Sequence, residues 1–379
     1  MKNLKLILKS LVNNEACVEG GRKRPWFFAV IMLFVSIIIC LVPSFVNLAN
    51  SKGSSFLGNY ANGFEIGARR FAEDQRERGI NMVVREADGT KYLQFTFNGK
   101  SGQEAFAMAY PEVNSFGHHC YKHFDVDNNV DLEVYYLDGE LTQDYLNEFV
   151  LINEGKVNDK GEPQYSYRTF NYMIFSKYEV RAGAYNHTTK RSVGNLAGDY
   201  KFVEEGFAIS SLATIVVDGV TYDKDLASTN EGAYGAYVRG TWANWKCFFD
   251  TTYLTYKYNS MWQRTLIMAG IDLAIVVFMG LMVYLLTRGK ANPYRIYTLW
   301  DTQKIVYWAA PAPAILSLII GFMLSMFIDI GFPLLIGMRL MWLSMKTLRP
   351  ENAQVVENPK QNNMSSKNAQ AKTVASKKK

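Results

Sequence analysis

The densest group of potential metal ligands in this sequence holds three of the chain's four histidines, His118, His119 and His123, with Cys120 between them. Imidazole and thiolate groups are ligands that zinc prefers. On a helix, His119 and His123 would share one face at a spacing of i and i+4. A neighbouring proline and glycine favour a loop instead, and no glutamate follows His118 as in helical zinc proteases. The segment is therefore either a zinc site or an ordinary polar loop.

A second candidate site follows directly, where oxygen-bearing side chains occupy every second position. They are Asp125, Asp127, Asn129 and Asp131. This spacing resembles the first half of a calcium-binding loop. The sixth position is Val130 where such a loop has glycine, and the twelfth is Tyr136 where it has a bidentate glutamate. We therefore favour a polar turn before a strand, with calcium as the alternative, and expect no other cofactor.

Three ionisable residues lie in or beside long apolar runs, Asp272, Asp329 and Arg339. Such residues are costly in a bilayer unless they face protein or water. Charges aligned along one pathway would indicate transport of a proton or an ion. Here the two acids are expected near one membrane surface and the base nearer the other, so we favour structural polar contacts. A small oligomeric transporter is the alternative.

The apolar residues of the chain are strongly segregated, although its mean hydropathy is only −0.09. Four apolar runs are predicted to be transmembrane helices, at residues 26–48, 266–286, 306–328 and 330–345. Because about 20 apolar residues span a bilayer, the last run is the weakest candidate, and a re-entrant or interfacial helix is its alternative. The first run is longer than the apolar core of a signal peptide, which favours an uncleaved anchor.

Charge predicts the orientation of these spans. Residues 1–25, 287–305 and 346–379 together carry 18 basic and 5 acidic residues, whereas residues 50–261 carry 21 basic and 28 acidic residues. Basic excess marks the cytoplasmic side, and the three basic segments share one side only if there are four spans. We therefore predict a multi-pass cell-membrane protein with both termini in the cytoplasm. The net charge of +6 is then a topology signal, and no nucleic-acid partner is expected.

The three predicted cytoplasmic segments differ in character. Residues 1–25 form a basic leader, whose start fits an amphipathic helix on the anionic inner leaflet, with a simple basic leader as the alternative. The sequence Glu19-Gly20-Gly21 is expected to break that helix before the first span. Residues 287–305 form a linker. Residues 350–379, rich in Asn, Gln, Lys and Ser, are predicted to be a disordered basic tail.

Residues 51–258 are predicted to form an extracytoplasmic α+β domain with mainly antiparallel sheet. Segments 64–78 and 141–149 have helical spacing. Between them and after them lie short runs rich in β-branched and aromatic residues, which indicate strands. Four of these runs end at turn dipeptides, namely Asp88-Gly89, Asn98-Gly99, Asp138-Gly139 and Asp218-Gly219.

Two cysteines fall in this predicted domain, Cys120 and Cys247. In an oxidising exterior they could form a disulfide, and two separate thiols are an equal alternative. The chain has no P-loop, nucleophile elbow, dinucleotide-binding glycine pattern or zinc-protease motif. We therefore expect a non-enzymatic envelope protein whose extracytoplasmic domain binds a ligand or a partner. A metal-dependent extracytoplasmic enzyme centred on His118, His119 and His123 is the alternative.

Several short segments carry a family resemblance. They are Leu-Val-Pro-Ser-Phe at residues 41–45, Phe-Glu-Ile at 64–66 and the segment Lys304–Ser317. With the basic leader and the α+β domain, they resemble a family of uncharacterised Firmicutes membrane proteins with four to five spans, some of which occur in maltodextrin-utilisation operons. The resemblance implies this topology and a link to carbohydrate uptake. The partners that we expect are the bilayer and a membrane protein such as a transporter. It implies no catalytic residue.

Overall fold

A computed structural model describes residues 2–58, 62–157, 161, 163–167, 170–186, 189, 191–229, 231–288 and 293–348. The chain divides into two compact units. We call residues 49–260 the α+β domain, and residues 2–48 together with 261–348 the helical unit. The predicted tail at 350–379 lies outside the described residues.

The elements are given in chain order. The described helices are α1 (Lys2–Val12), α2 (Asn14–Lys23), α3 (Trp26–Ala49), α4 (Asn62–Glu77), α5 (Gly102–Ala109), α6 (Gln143–Val150), α7 (Lys224–Ser228), α8 (Glu231–Leu286), α9 (Leu299–Ala309), α10 (Pro311–Met323) and α11 (Gly331–Trp342). The described strands are β1 (Asn81–Ala87), β2 (Thr90–Phe97), β3 (Lys100–Ser101), β4 (Tyr121–Phe124), β5 (Val130–Leu137), β6 (Leu151–Val157), β7 (Pro163–Tyr167), β8 (Asn171–Ser176), β9 (Glu179–Asn186), β10 (Arg191–Asp199), β11 (Ile215–Val217) and β12 (Val220–Tyr222).

Among the described residues, three stretches of helix are long and apolar enough to cross a membrane. They are α3, α8, and α9 with α10 taken together. The predicted spans 26–48 and 266–286 lie within the first two. Apolar side chains of the later part of α8 are exposed, including Leu266 at 67% and Phe278 at 56%, as expected for a helix that faces lipid. α8 is continuous over 56 residues, so the domain boundary predicted at residue 258 falls inside a helix.

The structure places the boundaries of the third predicted span, 306–328, and of the linker before it at other residues than predicted. α9 begins at Leu299 because Thr298 and Asp301 form a capping box, so residues 299–305 of the predicted linker 287–305 are helical. The helix restarts at Pro311, which has no N–H to donate. It ends at Met323 rather than at Ile328.

The fourth predicted span, 330–345, corresponds to α11, which has 12 residues, and one π turn at Leu343–Thr347. At 1.5 Å per residue, α11 is about 18 Å long, which is shorter than the roughly 30 Å hydrocarbon core of a bilayer. A fourth membrane crossing therefore stays a prediction.

The leader does not break where the sequence predicts. α1 forms as expected, but α2 runs through Gly20 and Gly21, so the expected helix break is wrong. α2 packs against α9, and a Cβ atom added to Gly20 would lie 2.6 Å from the indole ring of Trp308. One added to Gly21 would lie 2.7 Å from the side chain of Ile305. The missing Cβ atoms allow this close approach, and the packing offsets the low helix propensity of glycine.

The largest sheet of the α+β domain has the strand order β10-β9-β8-β5-β4. β5 and β8 are parallel, with Leu132 opposite Asn171, and the other neighbours are antiparallel. β1, β2 and β3 form a separate antiparallel sheet, and β6-β7 and β11-β12 are two-stranded. The domain therefore has an α+β fold with a mainly antiparallel sheet.

Three of the four predicted turn dipeptides close hairpins. Asp88-Gly89, Asn98-Gly99 and Asp218-Gly219 all have positive φ, as tight hairpin turns require. Asp138-Gly139 instead leads from β5 towards α6. Helices α4 and α8 and both large sheets contribute to one aromatic core, which includes Phe64, Phe71, Phe95, Phe106, Tyr136, Phe175, Trp245 and Phe249. The hairpin β1-β2 is fixed by this core, since Leu93 and Phe95 are buried in it.

Candidate ligand-binding site

Two adjoining cavities open on the α+β domain where turns from its two largest sheets meet. Their volumes are about 580 Å³ and about 660 Å³. Thr90 and Tyr178 line both cavities, so the two are halves of one groove. We call it the tyrosine groove. Its size is within the range of small-molecule sites, which is roughly 300–1,000 Å³.

The lining of the tyrosine groove comes from segments that are far apart in the sequence. The first half is lined by Ala87, Asp88, Thr90, Tyr92, Leu93, Gln94, Ser101, Gly102, Tyr136, Asp138, Lys177 and Tyr178. The second half is lined by Glu86, Gly89, Thr90, Lys91, Glu140, Tyr178, Asp199, Tyr200 and Lys201. The β1-β2 hairpin, the end of β5, the β8-β9 turn and the end of β10 thus all contribute.

Main-chain hydrogen bonds hold these segments together. The N–H of Leu93 donates to the carbonyl oxygen of Lys177 at 2.8 Å, and the N–H of Lys177 donates to that of Gly139 at 3.3 Å. The hydroxyl of Tyr136 donates to the carbonyl oxygen of Leu93 at 3.3 Å. The hairpin, the β8-β9 turn and the end of β5 are therefore joined across the floor of the groove, which makes the site preformed.

A glycine permits the closest approach in the first half of the groove. Gly102 has a φ of +68°, and a Cβ atom there would lie 2.2 Å from a carboxylate oxygen of Asp138. The side-chain amide oxygen of Gln103 accepts a hydrogen bond from the N–H of Asp138 at 3.2 Å. The start of α5 therefore positions the Asp138 carboxylate at the wall of the groove.

Aromatic rings and an ammonium group meet in the middle of the groove. The Nζ atom of Lys177 lies 5.6 Å from the ring centres of both Tyr92 and Tyr178. This distance is within the range of cation–π attraction. Tyr178 is 38% exposed and lines both halves, so its side chain borders the space that a ligand would fill.

The charges that line the groove are of both signs. The acidic members are Glu86, Asp88, Asp138, Glu140 and Asp199. The basic members are Lys91, Lys177 and Lys201, of which Lys91 donates to the carbonyl oxygen of Val203 at 2.7 Å. Carboxylates accept hydrogen bonds and ammonium groups donate them. The groove therefore offers both kinds of partner to a polar ligand.

Two buried phenols of the groove remain hydrogen-bond donors. Burial raises the pKa of Tyr136 well above its usual value, and the nearby Asp138 carboxylate raises it further. Burial, with Tyr136 and Glu179 nearby, also raises the pKa of Tyr200. The hydroxyl of Tyr200 donates within 3.1–3.2 Å of the carbonyl oxygens of Glu179 and Ser176. These phenols therefore hold the walls in place and do not act as bases.

The three candidate metal-binding histidines do not converge. The Nε2 atom of His118 lies 2.5 Å from Glu148 Oε2 on α6. His119 forms an isolated bridge with Val113, and its Nδ1 atom is buried without a hydrogen-bond partner. His123 lies on β4, so it does not share a helical face with His119. Within the described part of the chain, no three His, Cys, Asp or Glu side chains are grouped closely enough to hold a metal ion.

The segment considered for calcium forms a turn between β4 and β5. Asp125 Oδ1 accepts hydrogen bonds from the N–H groups of Asp127 at 2.9 Å and Asn129 at 2.8 Å. Asn128 has a positive φ of 63° at the tip. Asp131 is buried at the start of β5, beside Gly63. The Asp125 carboxylate therefore stabilises its own turn, in the manner of an Asx turn.

Cys247 is a free, exposed thiol on α8, and Cys120 is buried in a small cluster with Tyr135, Phe149 and Ile174. The disulfide alternative for Cys120 and Cys247 is thus not formed in this structure. Cys17 on α2 and Cys40 on α3 are both buried in the helical unit.

Each of the three charges in the apolar runs has a protein partner. The Asp272 carboxylate, whose residue is 6% exposed, lies 3.3 Å from the thiol of Cys40 on α3. Asp329 pairs with Arg264 at 2.5 Å.

Arg339 on α11 reaches the leader instead. It donates to the carbonyl oxygens of Ala309 and Ser10 and to Asn14 Oδ1. Its contacts are therefore with α1, α2 and α9, and they differ from those of Asp272.

Sequence reasoning missed the tyrosine groove entirely. None of its tyrosines stands in a recognisable motif, and its turns were interpreted only as ends of strands. The one available signal was the placement of Tyr92 shortly after the turn dipeptide Asp88-Gly89. Comparison of the chain with family models, with curated proteins and with solved structures found no match.

Proposed function

We propose that this chain is a membrane-anchored extracytoplasmic binding protein for neutral saccharides, without enzymatic activity and accessory to a membrane transporter. The observation that carries the proposal is the tyrosine groove, a preformed cavity pair on the α+β domain with Tyr178 between its halves. The helical unit would anchor this domain in the bilayer and contact the transporter.

The lining of the groove favours a neutral, polyhydroxylated ligand. The lining carries five carboxylates and three ammonium groups, so a charged ligand of either sign would meet like charge within the groove. A saccharide is uncharged, yet each hydroxyl both donates and accepts hydrogen bonds, so it can use both kinds of lining group. The exposed face of Tyr178 can cover the apolar C–H face of a sugar ring. Two joined halves of similar volume fit a ligand of more than one ring.

The extracytoplasmic placement rests on charge. The region that forms the α+β domain carries an acidic excess, and the segments at the other ends of the apolar helices carry a basic excess. The resemblance to membrane proteins of maltodextrin-utilisation operons agrees with a saccharide ligand and a transporter partner.

The test is a binding titration of the purified full-length chain in detergent with three probes. Maltotriose is neutral, gluconate is anionic and spermidine is cationic. We expect saturable binding of maltotriose alone. Tyr178→Ala should weaken it by about tenfold or more, because an aromatic anchor at the centre of a site typically contributes over 1.4 kcal/mol.

Tyr234→Ala provides a matched control, since Tyr234 is 41% exposed in the same domain and lies outside the groove lining. It should leave maltotriose binding unchanged. Preferential binding of gluconate or spermidine would show that the ligand class is wrong. Equal affinities of the Tyr178→Ala and Tyr234→Ala variants would show that the groove is not the site.

A further inference from the structure

Two arginines contact the same tyrosine at one end of the helical unit. The guanidinium carbon of Arg22, near the end of α2, lies 5.3 Å from the ring centre of Tyr297. The Nη2 atom of Arg288, just after α8, donates to the carbonyl oxygen of the same Tyr297 at 2.5 Å. The guanidinium of Arg288 also lies 4.0 Å from the ring centre of Tyr284. Tyr297 is 3% exposed, so both cations are anchored at a fixed point of the fold.

This point lies where the apolar helices begin and end. α3 begins at Trp26, shortly after Arg22, and α8 ends at Leu286, shortly before Arg288. α9 begins at Leu299, shortly after Tyr297. Trp26 is 57% exposed, as expected for an aromatic residue at a membrane–water interface.

Neither arginine has a carboxylate partner among the described residues. Nearby acids are already paired, with Glu19 bound to Lys23 at 3.0 Å and Asp301 to Lys304 at 3.1 Å. The Nε atom of Arg288 is buried and has no hydrogen-bond partner. A buried donor without a partner is unfavourable, and an anion bound here would offset that cost.

We propose that Arg22 and Arg288 form a binding site for a phosphate group at this end of the helical unit. Guanidinium groups match phosphate oxygens in geometry and bind them with two parallel hydrogen bonds. The phosphate can belong to the headgroup of an anionic phospholipid or to a soluble phosphate, and these two sources share the same chemistry.

The experiment uses the purified full-length chain in detergent and measures bound lipid by native mass spectrometry. The probes are dioleoylphosphatidylglycerol, oleate as an anionic amphiphile without phosphate, and inorganic phosphate as a competitor at matched ionic strength. Arg22→Gln and Arg288→Gln should each weaken phosphatidylglycerol binding by about tenfold or more, since each variant loses charge-assisted hydrogen bonds to the phosphate. Arg22→Lys, which keeps the charge but loses the planar fork, should bind with intermediate affinity.

Lys23→Gln is the matched control, because Lys23 is the exposed neighbour that pairs with Glu19. It removes the same charge from the same helix end and should cost no more than about fivefold, the share of diffuse attraction to an anionic surface. Displacement of the lipid by inorganic phosphate supports a soluble phosphate ligand, and failure of that displacement supports a lipid headgroup.

Two results would overturn the site. One is an equal loss of affinity in the Arg22→Gln and Lys23→Gln variants. The other is oleate binding that is as tight as phosphatidylglycerol binding and depends equally on Arg22. Because Arg288 also supports Tyr297 through its hydrogen bond, the exposed Arg22 variants keep the test valid if Arg288→Gln fails to fold.

Discussion

The close approach of the leader to α9 can be tested by adding one methyl group. In the Gly20→Ala variant, the new Cβ atom would lie 2.6, 2.8 and 2.9 Å from three ring atoms of Trp308. Trp308 is 2% exposed, so its indole ring has no solvent to move into. The variant therefore tests whether α2 is docked on α9 or lies elsewhere as an independent amphipathic segment.

Two opposing free-energy terms decide the outcome. Alanine is more favourable than glycine in a helix interior by about 0.8–1.0 kcal/mol. Overpacking a well-packed contact typically costs about 1–3 kcal/mol, and three contacts below 3 Å with a buried ring favour the upper part of that range. We expect a net loss of about 1–2 kcal/mol in the free energy of unfolding. For a chain of 379 residues, whose entropy of unfolding is about 0.8 kcal/mol/K, that corresponds to a fall of about 1–3 °C in the melting temperature.

The assay is thermal unfolding of the full-length chain in detergent. Gly270→Ala is the control, since a Cβ atom at Gly270 on α8 meets nothing within 4 Å, and it should leave stability unchanged or raise it slightly. Trp308→Phe removes part of the ring, so Gly20→Ala should cost less in that background, with a coupling energy of about 1–2 kcal/mol. A Gly20→Ala variant that melts at or above the wild-type temperature, or that costs the same with Phe at position 308, would refute the docking of α2 on α9.

Three further predictions concern the α+β domain. Gly102→Ala should destabilise the chain by about 1–3 kcal/mol and weaken maltotriose binding, because position 102 has a positive φ and the new Cβ atom would clash with Asp138. An unchanged melting temperature and unchanged maltotriose affinity would contradict this prediction. A membrane-impermeant maleimide should label intact cells at Cys247, the exposed cysteine, and Cys247→Ser should abolish the signal; labelling only after permeabilisation would reverse the proposed orientation. Burial, aided by two nearby arginines, lowers the pKa of His123. As the pH falls below about 6.5, His123 is therefore protonated in the unfolded chain before it is protonated in the folded chain, and the free energy of unfolding declines. Melting temperatures between about pH 5 and pH 7.5 should show this slope, and His123→Gln should flatten it.

The parts of the fold that could be predicted depend on local properties of the chain. The apolar runs at 26–48 and 266–286 follow from the uniform transfer preference of about 20 residues in succession. The hairpin turn at Asp88-Gly89 follows from the two positive φ values that these residue types tolerate. Such signals do not depend on what the segment packs against. The structure has α3, α8 and the β1-β2 hairpin at these positions.

The parts that could not be predicted depend on contacts between distant segments. Local propensity at Gly20-Gly21 indicates a helix break, but packing against Trp308 and Ile305 makes α2 continuous. The tyrosine groove joins segments around Thr90, Tyr136, Lys177 and Asp199, and no single segment contains a motif. The histidines are close in sequence, yet they do not form one site. His119 lies on an isolated β-bridge and His123 on β4, and they have different neighbours.

The role of Arg339, a charged residue in an apolar segment, can be assigned only from its tertiary contacts. An ionisable residue in a membrane span is by default a functional candidate, because burying it without partners is costly. The Arg339 guanidinium donates to the carbonyl oxygen of Ala309 at 2.8 Å and also to Ser10 and Asn14 of the leader. Two of these three acceptors belong to α1 and α2, so docking of the leader helps to offset the cost of burying Arg339. Since the contacts at Gly20 hold α2 on α9 independently, the leader has two separate attachments to the helical unit, and it is better described as part of that unit than as a basic tail on the membrane surface.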